Sequence, residues 1–175
     1  MNRKLVAFSF LASLMAFGSE ASAATGTANA TATIITPLAI EKSASATNGG
    51  DLAFGLIVPG TGGTVTVANN GARSTTGGAV AVSNSLYTHS TAVFNVTGTA
   101  QSQLTITLPA DGSVSIGNGS ETMAVNDFAR DGSVGAFALD GSGEASFRVG
   151  ATLTVAEDQD PGDYTGTFDV TVAYN

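Results

Sequence analysis

Apolar side chains recur at every second position along much of this chain, and no stretch beyond residue 24 sustains the spacing of a helix face. Val65 and Val67 alternate with Thr64 and Thr66, Phe94 and Val96 with Asn95 and Thr97, and Leu104, Ile106 and Leu108 with Thr105 and Thr107. Phe147 with Val149, Leu153 with Val155, and finally Phe168, Val170, Val172 and Tyr174 continue the pattern. A period of two sends alternate side chains to opposite faces of a strand, so each run turns one face to a core and one to water. Of these fifteen apolar positions, the fourteen other than Tyr174 form the expected core.

Turn signals punctuate the runs: Thr47-Asn48-Gly49-Gly50-Asp51, Asn69-Asn70-Gly71, Thr76-Gly77-Gly78, Asp111-Gly112, Gly117-Asn118-Gly119, Asp131-Gly132 and Asp140-Gly141. Asn-Gly and Asp-Gly tolerate the positive φ that tight hairpins need. Short strands separated at fairly even intervals predict an all-β fold, an antiparallel immunoglobulin-like β-sandwich in one domain. A transmembrane barrel is the main all-β rival, but the aromatics are few and form no girdles.

The start of the chain reads as an address. Arg3 and Lys4 precede the almost wholly apolar run Leu5 to Phe17, and Ala21-Ser22-Ala23 supplies small residues for a peptidase, so residues 1–23 are expected to be a secretory signal peptide. The run falls short of the ~20 residues needed to cross a bilayer. Residues 24–175 are then the exported domain, with a short N-terminal extension at about 24–34. Export to the cell surface or medium is the expectation. Removal of Arg3, Lys4 and Glu20 takes the net charge from −8 to −9. Such a surface repels a phosphate backbone, so no nucleic acid partner is expected. Without a single Cys, a thiolate metal site and a disulfide are both excluded, and stability must come from a packed core.

Chemistry is sparse. His89 is the one histidine and no Ser sits in a nucleophile elbow, so no catalytic residue is assigned. Glu157, Asp158, Asp160 and Asp163 form an oxygen-rich turn of the kind that can hold calcium, but their spacing is not that of an EF-hand and Pro161 interrupts it. A solvated acidic turn is the expectation. No metal and no cofactor is assigned. Gly62-Gly63 and Gly77-Gly78 open no helix, so they read as turns and not as phosphate cradles.

In the closing stretch, Phe168, Val170 and Val172 share a face with the penultimate Tyr174, and Gly162 lies fourteenth from the end. This resembles the terminal strand of chaperone/usher-type pilus subunits. Pro161-Gly162-Asp163-Tyr164-Thr165-Gly166 resembles the closing strand of the spore coat protein U family, as Leu52-Ala53-Phe54-Gly55 does a motif near its start. Gly63-Thr64-Val65-Thr66-Val67, Val149-Gly150-Ala151-Thr152-Leu153 and the final Tyr174-Asn175 are similar to an uncharacterised family of secreted bacterial proteins with a domain of unknown function. The pilin resemblance implies a sandwich lacking one strand, which a periplasmic chaperone and then a second subunit supply, with an outer-membrane usher guiding assembly. It implies a structural, non-enzymatic subunit of a surface fibre or coat. The inserted strand would be Ala28, Ala30, Ala32 and Ile34, alternating with Asn29, Thr31 and Thr33, and Gly162, Phe168, Val170, Val172 and Tyr174 would meet the chaperone or neighbour. Two alternatives stay open. Residues 28–34 could be the domain's own first strand, and the whole could be a self-complete binding module or adhesin whose ligand meets Tyr87 and His89.

Overall fold

The computed structural model describes residues 23–132 and 137–175. The expected signal peptide, apart from Ala23, lies outside the described residues. The chain divides into residues 1–33 and 34–175. In the first unit the described residues, 23–33, form no strand or helix.

The second unit is an antiparallel β-sandwich. Its strands are β1 (Ala39–Lys42), β2 (Leu56–Val58), β3 (Gly63–Val67), β4 (Arg73–Gly77), β5 (Val80–Val82) and β6 (Ala92–Thr97), then β7 (Gln103–Thr107), β8 (Val114–Gly117), β9 (Thr122–Arg130), β10 (Phe137–Ala138), β11 (Glu144–Val155) and β12 (Thr171–Tyr174). Seven strands, β1, β3, β4, β6, β8, β9 and β11, make the large sheet. A second sheet has the order β10-β7-β12, and β2 with β5 forms a separate two-stranded ribbon. Among the described residues no helix is long and apolar enough to cross a membrane.

The hub is β11. Glu144 to Val149 lie opposite β6, Ala151 to Val155 opposite β3, and Val149 to Leu153 opposite β9. Phe147, Val149, Ala151, Leu153 and Val155 keep one phase and are all buried. Gly150 lies between them where the register to β9 shifts, and a Cβ there would stand 2.2 Å from the Val67 carbonyl oxygen. Only glycine lets the two backbones approach so closely.

Hairpin turns fall where the Asn-Gly and Asp-Gly signals stand. Asn70 Oδ1 accepts from Ala72 N in the β3–β4 turn, and Asn118 Oδ1 accepts from Ser120 N and Glu121 N between β8 and β9. Gly71 and Gly119 take positive φ beside them. These side chains supply the partners that the turning backbone lacks.

The core has two parts. One gathers Val65, Val67, Met123, Val125, Leu153 and Val155; the other gathers Ala92, Val96, Leu104, Leu139, Phe147 and Val149. Of the expected core, Val65, Val67, Val96, Leu104, Phe147, Val149, Leu153 and Val155 are buried. Phe94, Ile106, Leu108, Phe168, Val170 and Val172 face the second part and are half-buried. The periodicity did not anticipate β1, β2, β4, β5, β8, β9 or β10, and Phe168 with Val170 belongs to no strand.

Candidate functional site: an open groove beside an unpaired stretch

The half-burial of the last apolar run has a backbone counterpart. Thr165 exchanges hydrogen bonds with Gly117, and Thr171 to Tyr174 pair with β7. Between them, residues 166–170 are extended in their alternation of buried and exposed side chains but make no backbone hydrogen bond to other described residues. Phe168 and Val170 pack this stretch against the second part of the core, and Phe168 reaches across the sandwich. Its ring meets Phe94 of β6 edge-on at 6.3 Å between centroids and Phe128 of β9 at 5.0 Å. Side-chain packing therefore holds a strand-like segment whose peptide groups have no backbone partner among the described residues, a condition that invites another strand.

Beside it opens a groove of about 1420 Å³. Leu153 and Val155 of β11 line it, with Ala92 and Phe94 of β6, Val114 and Ile116 of β8, and Met123 and Val125 of β9. Leu52, Phe54 and the ribbon strand β2 line it too, and residues 159–168 complete its lining. Small-ligand pockets run to roughly 300–1,000 Å³, so this one is more fitted to a chain segment. Phe94 lies opposite Phe147, eight positions before Val155, so the groove runs about 26 Å along β11 at ~3.3 Å per residue.

Its acidic corner is satisfied internally. Glu121 Oε2 accepts from Gln159 Nε2 at 2.6 Å, from Asp160 N at 3.1 Å and from the Tyr164 hydroxyl at 3.4 Å. Glu157, Asp158, Asp160 and Asp163 are exposed, and among the described residues no three groups converge as a metal site would require. The signal that could have found the β8–β9 wall was present. Val114-x-Ile116 and Met123-x-Val125 flank Gly117-Asn118-Gly119, a hairpin pattern hidden by its shortness.

The other sequence-designated residues fall in three places. Ala28, Ala30 and Ala32 are exposed and outside any strand, and Ile34 is 97% exposed. The domain's first strand is β1, so in this chain residues 28–34 do not serve as that strand. Gly162 is exposed beside Asn118. Val172 and Tyr174 are half-buried in β12, with Phe168 and Val170 just before them. The Tyr174 hydroxyl donates to the Thr36 carbonyl at 2.8 Å and accepts from Thr99 N at 2.7 Å, while Thr36 N donates to Thr99 Oγ1 at 2.9 Å. Tyr174 thus fastens the chain just ahead of β1.

Tyr87 and His89 share a dent of about 310 Å³ with Arg73, Asn84 and Thr88. The Arg73 guanidinium is already committed to the carbonyls of Phe54 and Val82, each at 3.0 Å. Gly55, the last residue of Leu52-Ala53-Phe54-Gly55, takes φ +76, and a Cβ there would stand 2.5 Å from Arg73 Nη1. That glycine lets the arginine seat the base of the ribbon.

No curated protein and no solved structure matches the chain. A family model does, that of a Domain of unknown function (DUF4402), over residues 40–174. The match opens within β1 and closes on Tyr174. It covers the sandwich with its groove and unpaired stretch and leaves out residues 1–39, and the chain belongs to this family.

Proposed function

We propose that this protein is a structural, non-enzymatic subunit of a secreted surface fibre or coat, in which residues 28–34 of one copy complete the open sandwich of the next. The stretch 166–170 carries this reading, because its peptide groups, unpaired among the described residues, stand beside a mostly apolar groove that a single extra strand would fill. Seven residues of extended chain span about 23 Å, close to the length of the groove. No charged residue occurs between Glu20 and Glu41, so the segment brings no ion of its own to be desolvated. Ala28, Ala30, Ala32 and Ile34 share the face that would turn inward. Export through the periplasm, with a chaperone holding the groove and an usher ordering assembly, belongs to the same reading.

The test is substitution on that inward face. Ala30→Asp and Ala32→Asp each place a carboxylate in a mostly apolar groove whose lining cation, Lys42, is already paired with Asp51, at a cost of about several kcal/mol, whereas outside it the same carboxylate stays hydrated. Sedimentation of the purified variants is expected to give folded single copies where the parent gives polymers. Polymers of parental length would end the proposal.

A further inference from the structure

Among the described residues, large apolar side chains are exposed at only two places. One is Ile34 with Ile35, 97% and 52% exposed. The other is the β2–β5 ribbon and the loop after it, where Leu56, Val58, Val80, Leu86 and Tyr87 stand open. On the ribbon, Leu56 faces Val82 and Val58 faces Val80 across the ladder, so these four share one face, with Ile57 turned into the first part of the core. Leu56, Val58, Leu86 and Tyr87 also line the groove. The patch is therefore its apolar rim, a kind of surface that marks an interaction site on a soluble protein.

The two places lie at opposite ends of β11. Ile35 immediately precedes Thr36, which Tyr174 and Thr99 hold, and β1 begins opposite Thr97, which in turn faces Glu144. The turn leaving β2 abuts the other end, since a Cβ on Gly62 would lie 3.1 Å from the Val155 carbonyl oxygen and 2.8 Å from Glu157 N. Eleven steps of strand, about 36 Å, separate Glu144 from Val155. One residue of chain cannot cross that distance, so Ile35 cannot cover the rim of its own copy.

We propose that Ile35, with Ile34 beside it, docks on the β2–β5 rim of a second copy. The inference rests on the strand-completion reading and adds to it. An inserted segment 28–34 keeps its own domain outside, so its last residues remain at the groove mouth. Ile34 closes the inward set there, and Ile35, in the opposite phase, points out of the groove toward the ribbon. The contact joins two different surfaces, one at each end of the domain, so it does not close on a pair of copies and extends as a chain. The clamp at Tyr174 fixes where Ile35 leaves and so sets the direction in which the next copy is added.

The natural chain has no cysteine, so introduced thiols report contacts without background. A tagged full-length Ile35→Cys copy is mixed with untagged Val58→Cys, Val80→Cys or Leu86→Cys copies and oxidised. A tagged–untagged dimer is expected with at least one of them, and none with Ser146→Cys, an exposed site toward the other end of β11. A separate mixture of Ala30→Cys with Ile116→Cys, on the groove wall, reports strand insertion by itself. If that pair links and none of the rim pairs does, the rim contact is wrong and strand completion stands. If neither set links, both fall. If only the rim set links, the contact stands and strand insertion is overturned. An Ile35→Cys/Val58→Cys chain that closes on itself as a monomer, with no linked dimer in the mixtures, also overturns the contact.

Discussion

Strand β11 and the stretch from Gly166 to Tyr174 carry the same alternation of apolar and polar residues, yet they end in different conditions. In β11 every apolar position in phase with Phe147 from there to Val155 is buried and the backbone pairs with β6, β3 and β9. In the later stretch Phe168, Val170, Val172 and Tyr174 are only half-buried, and pairing begins at Thr171. Alternation therefore specifies which way side chains face, and it leaves open whether the peptide groups find a partner. A strand buried on one face and unpaired at its edge is complete in its own sequence and incomplete in its environment.

The largest expected effect breaks this comparison at its two aromatic anchors. Phe147 is 1% exposed and stacks on Phe94 at 5.5 Å between centroids, so Phe147→Ala is expected to cost about 3–5 kcal/mol in the isolated subunit. Phe168 is half-buried on a stretch with no backbone bonds to other described residues, and Phe168→Ala should cost about 1–2 kcal/mol from lost apolar burial. Urea unfolding of both variants as single copies checks the ratio. Equal costs would mean that residues 166–170 are as integrated as β11.

Tyr174→Phe sharpens the comparison at the other end of the same stretch. It removes the hydroxyl that donates to Thr36 O and accepts from Thr99 N, at roughly 1–2 kcal/mol for two hydrogen bonds partly replaced by water. The expected signature is a modest fall in unfolding midpoint together with faster amide exchange at Thr99. Unchanged exchange there would show that the clamp does not hold the segment ahead of β1.

Facing directions were legible in the sequence because a period of two survives in a half-buried strand, as in Leu104-x-Ile106 and Val65-x-Val67. The sandwich and its Asn-Gly and Asp-Gly turns followed from the same local rules. Strands without that signature stayed hidden. Strand β4 reads Arg-Ser-Thr-Thr-Gly and is mostly exposed, so nothing apolar marks it, and β2 and β5 span three residues each, too few to show a period. The groove was not legible as a place at all. Its lining comes from segments more than a hundred residues apart, such as Leu52 and Phe168, which only the tertiary fold brings together. The terminal stretch was singled out from its pattern, but the lack of backbone partners at 166–170 is a property of what surrounds it.

The smallest expected effect concerns a turn that feeds β11, the fully paired side of the comparison. Asp140 Oδ1 accepts from Glu144 N at 2.9 Å and from Ser142 N at 2.8 Å, and these backbone donors, Glu144 first, hold its carboxyl below its ordinary value of 3.8. The folded state thus favours the charged form, so the carboxylate contributes stability that is fully present above about pH 4 and is lost as the pH falls through the lowered native value. Asp140→Ala should unfold more easily than the parent at neutral pH by a small margin, since the group is fully exposed. That margin should shrink as the pH drops below about 4, because the parent then loses what the variant never had. Thermal unfolding of both proteins between pH 7 and about 2 measures it. A margin that stays constant across the acid range would mean that the turn is held by its backbone bonds alone, the Glu144 carbonyl accepting from Asp140 N at 2.9 Å and the Asp140 carbonyl from Gly143 N at 3.1 Å.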